Sequence, residues 1–381
     1  MHHTNNRAII IPTYINHFHY IENLLKSINT FVLDIKEFDI CFILSSKEEK
    51  KLFDKTFSKY RKKLSIFTYN IEDILSSYGI SISSEILLKD IGKYSYQTIK
   101  KLYGIFYLQY NQAYIMDSES LFICQVNVNS LFEDYFRNPF VLYFPFSCYQ
   151  KQEIDNSLNY ITLQNVANIF NEYKLDNFYF DGFNWFYDIN IVNDMFKFFN
   201  NDIFTPIVQT SIQNKSKNYK TQAIFECIFY YQFIYKNNSK YKYKFIDTIP
   251  LIEQKVGKNL LDNILKIFKR NNTLYPIFMH SWEYMDSENI KKYAQIYKNL
   301  NFRIARLYVT NISNNKILTF IENSGICLAV STENLNEKLK SLCNYDSSIA
   351  QNLKILFKKK EKNITENIIS FLRKIKIGAN K

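Results

Sequence analysis

Short apolar runs alternate with amphipathic stretches along the first 125 residues of the chain. The run from Arg7 to Tyr14 predicts a buried strand that Pro12 ends, and Phe38–Ser46 and residues 64–70 predict two more. Residues 17–31 carry apolar side chains at helical spacing, and residues 47–63 form a charged stretch of helical length. This alternation predicts an α/β fold with a parallel, doubly wound sheet.

An acidic turn interrupts the next apolar run. Residues 94–110 have helical spacing and lead directly into the sequence QAYIMDSESLFI. Asp117 and Glu119 are therefore predicted at the C-terminal end of a strand near the middle of the sheet, which is the edge where open α/β sheets bind ligands. Two carboxylates at such a turn can converge on Mg²⁺ or Mn²⁺, which prefer oxygen ligands. An ordinary acidic turn is the alternative.

The pattern becomes irregular after about Pro145. Helices are predicted at residues 156–173, 189–201 and 220–236, and strand-like runs at 242–250 and 273–282. From Asp286 onward Lys, Asn and Glu become more frequent, and the segments indicate amphipathic helices and short strands. We expect one domain over residues 1–285, with halves at 1–125 and 126–285, and an α/β or helical extension over 286–381.

Composition narrows the class of protein. The formal net charge of +12 favours anionic partners, but no RNA-binding or helix-turn-helix signature accompanies it, which argues against nucleic acid. The 6 cysteines are scattered and form no CxxC pair, which favours a reducing compartment over a zinc or disulfide framework. No signal peptide and no apolar window long enough for a membrane span are recognised, so a cytoplasmic location is expected.

The segments AIIIPTY and YSYQTIKKLYG…AYIMDSESLFI resemble the GT-A nucleotide-sugar glycosyltransferases. The closer likeness is to poorly characterised families of bacterial surface-polysaccharide gene clusters, for capsule or lipooligosaccharide, and it covers roughly the first 235–285 residues. It implies a Rossmann-like mixed sheet flanked by helices, followed by a helical, aromatic-rich acceptor half. It also implies that the acid-x-acid motif holds Mn²⁺ or Mg²⁺ against the donor diphosphate. Glu119 stands where Asp is commoner.

The resemblance assigns further residues to the donor. The first strand and its loop, with Pro12, Thr13 and Tyr14, would hold the nucleotide, together with Asp117. Gln97 and Lys101 lie on the helix before the acidic motif, as in the similar families. Lys100 and Lys101 are adjacent, so only one of them is expected to face the site, and the family position favours Lys101.

His280 stands alone in the sequence PIFMHSWEYMD. Metal-dependent GT-A enzymes commonly add a distal histidine to the two acids, so the resemblance implies His280 as the third metal ligand. A structural histidine at the end of a strand is the alternative. The neighbouring Trp282 would either pack on a sugar or fill the core.

The segment DNFYFDGFNWFYD combines a turn at Asp181 with many aromatic rings. Rings with a few polar groups suit a sugar, whose faces are apolar and whose rim is hydroxylated, so Trp185, Asn184 and Trp282 are expected to contact the acceptor. A core-packing loop is equally compatible with a chain that is 17% aromatic. An inverting transferase needs a carboxylate that takes the acceptor's proton. The candidates for this base are Asp181, Asp188 and Glu226.

These observations predict a glycosyltransferase that moves a sugar from a nucleotide-sugar donor to a glycan or lipid-linked glycan. Two alternatives stay open. A nucleotidyltransferase also uses paired acids, but it would typically have a Gly-rich phosphate loop, which this chain with 7 glycines does not show. A glycan-binding protein on a GT-A scaffold is the other. The basic segment over residues 356–381 suits either contact with an anionic membrane or packing on the domain.

Overall fold

A computed structural model describes residues 5–145, 158–171, 177–179, 185–215, 222–270, 277–307, 312–331 and 335–357. Its strands are β1 (Arg7–Pro12), β2 (Asp39–Leu44), β3 (Ile66–Asn70), β4 (Gln112–Ile115), β5 (Leu121–Phe122), β6 (Phe140–Pro145), β7 (Asn177–Phe178), β8 (Phe186–Asp188), β9 (Lys244–Asp247), β10 (Ile304–Leu307) and β11 (Leu328–Ser331).

The helices fill the intervals between these strands and dominate the second half of the chain. They are α1 (Phe18–Phe31), α2 (Lys47–Phe57), α3 (Ile71–Ser76), α4 (Ser84–Leu108), α5 (Val128–Arg137), α6 (Leu158–Ile169), α7 (Ile189–Phe198), α8 (Phe204–Gln213), α9 (Glu226–Lys236), α10 (Asn238–Tyr241), α11 (Thr248–Val256), α12 (Lys258–Arg270), α13 (Ile277–His280), α14 (Ser287–Asn299), α15 (Asn314–Ser324), α16 (Leu335–Leu342) and α17 (Ser348–Phe357).

A mixed sheet of five strands forms the centre of the fold, in the order β3-β2-β1-β4-β8. The first four are parallel, and β8 pairs antiparallel with β4. Five of the six residues of β1 and all six of β2 are buried, as expected for parallel strands covered by helices on both faces. The predicted α/β class and the position of β4 inside the sheet are confirmed.

The acidic motif joins this sheet to a second one. It follows β4 and precedes β5, and β5 pairs antiparallel with β11, which is itself parallel to β10. The backbone N–H of Ile123 donates to Cys327 O at 2.9 Å, and the side chain of Asn352 donates to Ile123 O at 3.2 Å. The predicted extension from residue 286 therefore supports the strand immediately downstream of the two acids. A third sheet has the order β7-β6-β9.

Helix α4 begins ten residues before the predicted start at residue 94, and Ser83 caps it by accepting from Ile86 N. Its two halves meet at Gly92, whose φ of 74° lies in the left-handed region that favours glycine. Beyond that break, Ser95 donates to Gln222 O and Thr98 donates to Ile224 O, each at 2.6 Å. The chain before α9 is thus held against α4.

Two predicted elements in the second half are wrong. The run at residues 273–282 was expected to be a strand, but its described part is helical, with α13 followed by a 3-10 turn over Ser281–Tyr284. Local bonds from Ser281 to Ile277 O and from Trp282 to Met279 O stabilise this turn. The helix predicted at 220–236 starts only at Glu226, because the preceding residues bond to α4 instead.

Among the described helices, none has both the length and the hydropathy that crossing a membrane requires.

The close approach of α4 to the sheet gives a test of the packing. A Cβ at Gly104 would lie 2.0 Å from Ile43 Cδ1, so Gly104→Ala should lower the free energy of unfolding by about 1–3 kcal/mol. Ile43→Val removes the clashing atom. The double variant, measured by urea unfolding, should therefore lose less stability than the two single losses added together. Strict additivity would contradict the close packing described here.

Candidate functional site

The site lies where β1, β2 and β4 end. These strands are adjacent and parallel, so the residues that follow them share the C-terminal edge of the sheet. Thr13 follows β1, Ser45 follows β2, and Asp117 lies two residues beyond β4. Helix α4 passes this edge and brings Lys100 and Lys101 to it. Polar groups from four distant parts of the sequence therefore meet at one place.

Glu119 belongs to a small hydrogen-bonded cluster. Ser118 Oγ donates to Glu119 Oε2 at 3.0 Å, and His17 Nδ1 lies 2.7 Å from Ser118 Oγ and 3.3 Å from Glu119 Oε1. The His17 ring also lies 4.1 Å from the ring of Tyr14, centroid to centroid. Both oxygens of Glu119 thus have partners, whereas the side chain of Asp117 is 31% exposed.

Burial and the charges of neighbouring groups shift the pKa values of Glu119 and His17. Burial, together with the charge of Asp117, raises the pKa of Glu119 to about 7. Burial and the neighbouring His19 lower the pKa of His17 to about 4, so its ring is neutral at pH 7. The acid pair therefore lies in a place where a second negative charge is unfavourable and a cation would be favoured.

Lys101 is buried between two carboxylates. Its Nζ lies 2.8 Å from Glu226 Oε1 and 3.7 Å from Asp117 Oδ1, and 4.7 Å from the ring centroid of Trp185. Burial alone lowers the pKa of Lys101, but Glu226 and Asp117 outweigh burial and hold that pKa above its usual value. Glu226 is the first residue of α9, where the helix dipole also favours a negative charge.

Lys100 has a different environment. It is 1% exposed, and its Nζ donates to Thr13 O at 2.6 Å and to Ser45 Oγ at 3.2 Å. Burial lowers the pKa of Lys100 to about 8, and the charge of Glu49 only partly opposes that shift. Both lysines thus reach this edge of the sheet, towards different partners, and which of them meets the donor stays a prediction.

The predicted donor residues are brought to this edge to different degrees. Pro12 pairs with Ile43 as the last residue of β1. Thr13 is 1% exposed, and no residue in the described part of the chain forms a hydrogen bond with its Oγ1. Tyr14 is half-buried beside His17. Gln97 is half-buried one turn before Lys101 on α4.

The predicted metal ligands do not converge as a set of three. His280 is 4% exposed at the end of α13, and its Nδ1 lies 2.6 Å from Glu283 Oε1. In the part of the chain that the structure describes, no three His, Cys, Asp or Glu side chains are arranged to hold a metal ion. The donor set that fits Mg²⁺ or Mn²⁺ is the carboxylate pair itself, because these ions are commonly held by one or two carboxylates and substrate phosphates.

The predicted acceptor residues are dispersed. Asp188 pairs with Gln112 at the opposite end of β4 from the acids, and its side chain caps α7 by accepting from Asn190 N at 2.8 Å. Trp282 is fully buried and stacks on Phe320 with ring centroids 4.4 Å apart. Of this group, Trp185 and Glu226 reach the site, through Lys101. Asp181 and Asn184 lie outside the described residues.

Three residues at the site were not assigned to it from the sequence: His17, Ser118 and Lys100. His17 lies five residues beyond Pro12, and β1 is the parallel neighbour of β4. That topology places His17 and the acidic motif at the same edge of the sheet, which is the signal by which His17 could have been found.

Comparison with known proteins gives matches to solved structures alone. No protein-family model and no curated protein sequence matches the chain. Residues 1–349 of TarS from S. aureus match at 14% identity and TM-score 0.32, with 98% of this chain and 91% of that chain covered. WbbM, described as a bifunctional glycosyltransferase, matches at 12% identity and TM-score 0.33, with 58% and 39% covered. Core-mannan synthase A from Aspergillus fumigatus, in a Mn/GDP form, matches at 14% identity and TM-score 0.28, with 60% and 67% covered. All three TM-scores are below 0.5, so nothing about this chain is argued from these matches.

The buried ion pair gives a stability prediction. Glu226→Leu leaves the Lys101 ammonium with Asp117 alone and should lower the free energy of unfolding by about 3 kcal/mol. Lys101→Met added to it removes the stranded charge and should restore most of the loss, as measured by urea unfolding.

The control is the exposed pair of Lys292 and Glu288 on α14, where Glu288→Leu should change stability little. If the double variant is no more stable than Glu226→Leu, the two buried charges do not depend on each other.

Proposed function

We propose that this protein transfers a sugar from a nucleotide-sugar donor to a glycan or lipid-linked glycan, as in bacterial surface-polysaccharide synthesis. The observation that carries the proposal is the position of Asp117 and Glu119. They follow a strand inside a largely parallel sheet, beside the end of β1, where Lys101 contacts Asp117 and Lys100 bonds to Thr13 O. An edge of this kind, with carboxylates next to cations, suits a ligand that brings a diphosphate.

The donor would lie along the ends of β1 and β4. Pro12, Thr13 and Tyr14 offer the backbone and side chains next to β1, and Asp117 offers an exposed carboxylate next to β4. Gln97 and Lys101 on α4 border the same edge. Lys101 is neutralised by Glu226 and Asp117, so its part in this site is to hold those carboxylates in place.

A divalent ion, Mn²⁺ or Mg²⁺, belongs to the same proposal. Asp117 and Glu119 would hold it, because burial, together with the charge of Asp117, disfavours a second negative charge on Glu119, and a bound cation would offset both effects. When bound, such an ion neutralises charge on the departing nucleoside diphosphate. His280, paired with Glu283, is not needed for a ligand set completed by the donor's phosphates.

The acceptor side stays a set of predictions. Asp181 remains a candidate base, with Asn184 and Trp185 as acceptor contacts. Glu226 is 2% exposed and contacts Lys101. To act as the base, it would have to lose that contact and bind the acceptor's hydroxyl instead. Peripheral membrane contact through the basic C-terminal segment also stays a prediction, because residues 358–381 lie outside the described part of the chain.

The test is turnover on a panel of UDP- and GDP-sugars with Mn²⁺. We expect slow release of the nucleoside diphosphate without acceptor, and we expect Asp117→Asn to lower it by about 100-fold or more, because its carboxylate no longer binds the ion. The fold should be intact, since the side chain is 31% exposed. Asp262→Asn on α12 is the control and should leave turnover unchanged.

Other products would identify the alternatives. Release of pyrophosphate from a nucleoside triphosphate would indicate a nucleotidyltransferase. Glycan binding without any turnover across the panel would indicate a binding protein on a glycosyltransferase-like scaffold. Either result would contradict the proposed function.

A further inference from the structure

Lys100 is a buried cation whose hydrogen-bond partners are neutral. Its ammonium bonds to one carbonyl and one hydroxyl and lies 5.3 Å from the ring centroid of Tyr96. Among the described residues, no carboxylate forms an ion pair with it within 4.0 Å. Glu49 is near enough to act on Lys100 electrostatically, but its carboxylate accepts from the backbone N–H groups of Ile15 and Ser45. A buried charge without a charged partner is costly to the fold.

The next residue on α4, Lys101, is a buried lysine whose charge is paired within the protein. Lys101, equally buried, has two carboxylates within 4.0 Å. The contrast between these neighbours indicates that Lys100 keeps its positive charge for an anion that comes from outside.

A second observation lies at the same place. Thr13, whose carbonyl accepts from Lys100, carries a buried hydroxyl that has no hydrogen-bond partner among the described residues. Buried hydroxyls are rarely left in this state, and the orphaned group is accounted for if a ligand oxygen meets it. Ser45, the other partner of Lys100, is half-buried, so the ammonium lies one hydrogen bond below the surface.

The position agrees with an anion that also reaches the acids. Lys100 Nζ bonds to Thr13 O directly after β1, and Asp117 follows β4, the parallel neighbour of β1. A diphosphate lying across the end of β1 would have Lys100 on one side and Asp117 on the other.

We propose that Lys100, with the hydroxyls of Thr13 and Ser45, binds the diphosphate of a nucleoside diphosphate at the C-terminal ends of β1 and β2. This inference rests on the proposed function and names the lysine that meets the donor's charge. It differs from the sequence prediction, which chose Lys101.

The test compares ligands that differ in charge. Binding of UDP, GDP and the matching uncharged nucleosides is measured by calorimetry with Mn²⁺ for the wild type, Lys100→Met and Thr13→Val. Lys89→Met, an exposed lysine on α4, is the control. Lys100→Met should weaken the diphosphate by about 10- to 100-fold, because a charge-assisted hydrogen bond is lost, and should leave the nucleoside unchanged. Thr13→Val should weaken the diphosphate several-fold.

The unfolding temperatures of the variants help to distinguish a role of Lys100 in binding the diphosphate from a role in stabilising the fold. Lys100→Met removes a buried charge without a charged partner together with its hydrogen bonds to Thr13 O and Ser45 Oγ, and these opposing effects should leave the unfolding temperature close to that of the wild type. Thr13→Val removes a hydroxyl that has no hydrogen-bond partner among the described residues, so it should not unfold at a lower temperature either. Diphosphate affinity of the wild type should also fall as the pH rises above about 8, where Lys100 loses its proton, and Lys100→Met should lack that fall.

Three results would overturn the inference. One is unchanged diphosphate affinity in Lys100→Met. Another is an equal loss for diphosphate and nucleoside together with a lower unfolding temperature, which would make Lys100 a structural link between β1 and β2. The third is unchanged affinity in Thr13→Val, which decides the matter if Lys100→Met does not fold. In each case the wild type still binds the diphosphate and the proposed function stands, whereas a wild type that binds neither UDP nor GDP would contradict the function itself.

Discussion

The buried ion pair of Lys101 on α4 with Glu226 and Asp117 is the constraint on which the organisation of this edge of the sheet depends. The helix approaches the sheet closely at Gly104, where a Cβ would lie 2.0 Å from Ile43 Cδ1, and Lys100 and Lys101 lie one turn earlier on the same helix. Each ammonium needs oxygen partners, since a buried charge without them destabilises the fold. Lys101 draws Glu226 and Asp117 together, and Lys100 binds the residues that follow β1 and β2.

The same constraint gives the two halves of the chain a common site. Glu226 reaches Lys101 because Ser95 and Thr98 hold the preceding residues along α4. On the other side, the acidic motif lies between β4 of the central sheet and β5, which pairs with β11 near the end of the described chain. The acids are thus supported from upstream and downstream, and their geometry depends on packing far from the motif itself.

The sequence predicts the first half of the fold well, because strands buried on both faces and amphipathic helices leave strong local patterns. The position of Asp117 at the end of an inner strand follows from those patterns. The pairing of Lys101 with Glu226 does not, because the two residues are 125 positions apart and no local signal links them. The strand predicted before His280 fails for a related reason: an apolar run of that length suits a buried helix as well as a strand, and side-chain bonds from Ser281 and Trp282 stabilise the helical turn.

We propose above that the C-terminal ends of β1 and β4 form one site for a nucleoside diphosphate. A crystal structure of the protein with Mn²⁺ and either UDP or GDP would show whether they do. We expect phosphate oxygens within hydrogen-bonding distance of Lys100 and a metal ion bound to Asp117. A nucleotide bound elsewhere on the molecule, with Lys100 and Thr13 in unchanged contacts, would contradict it.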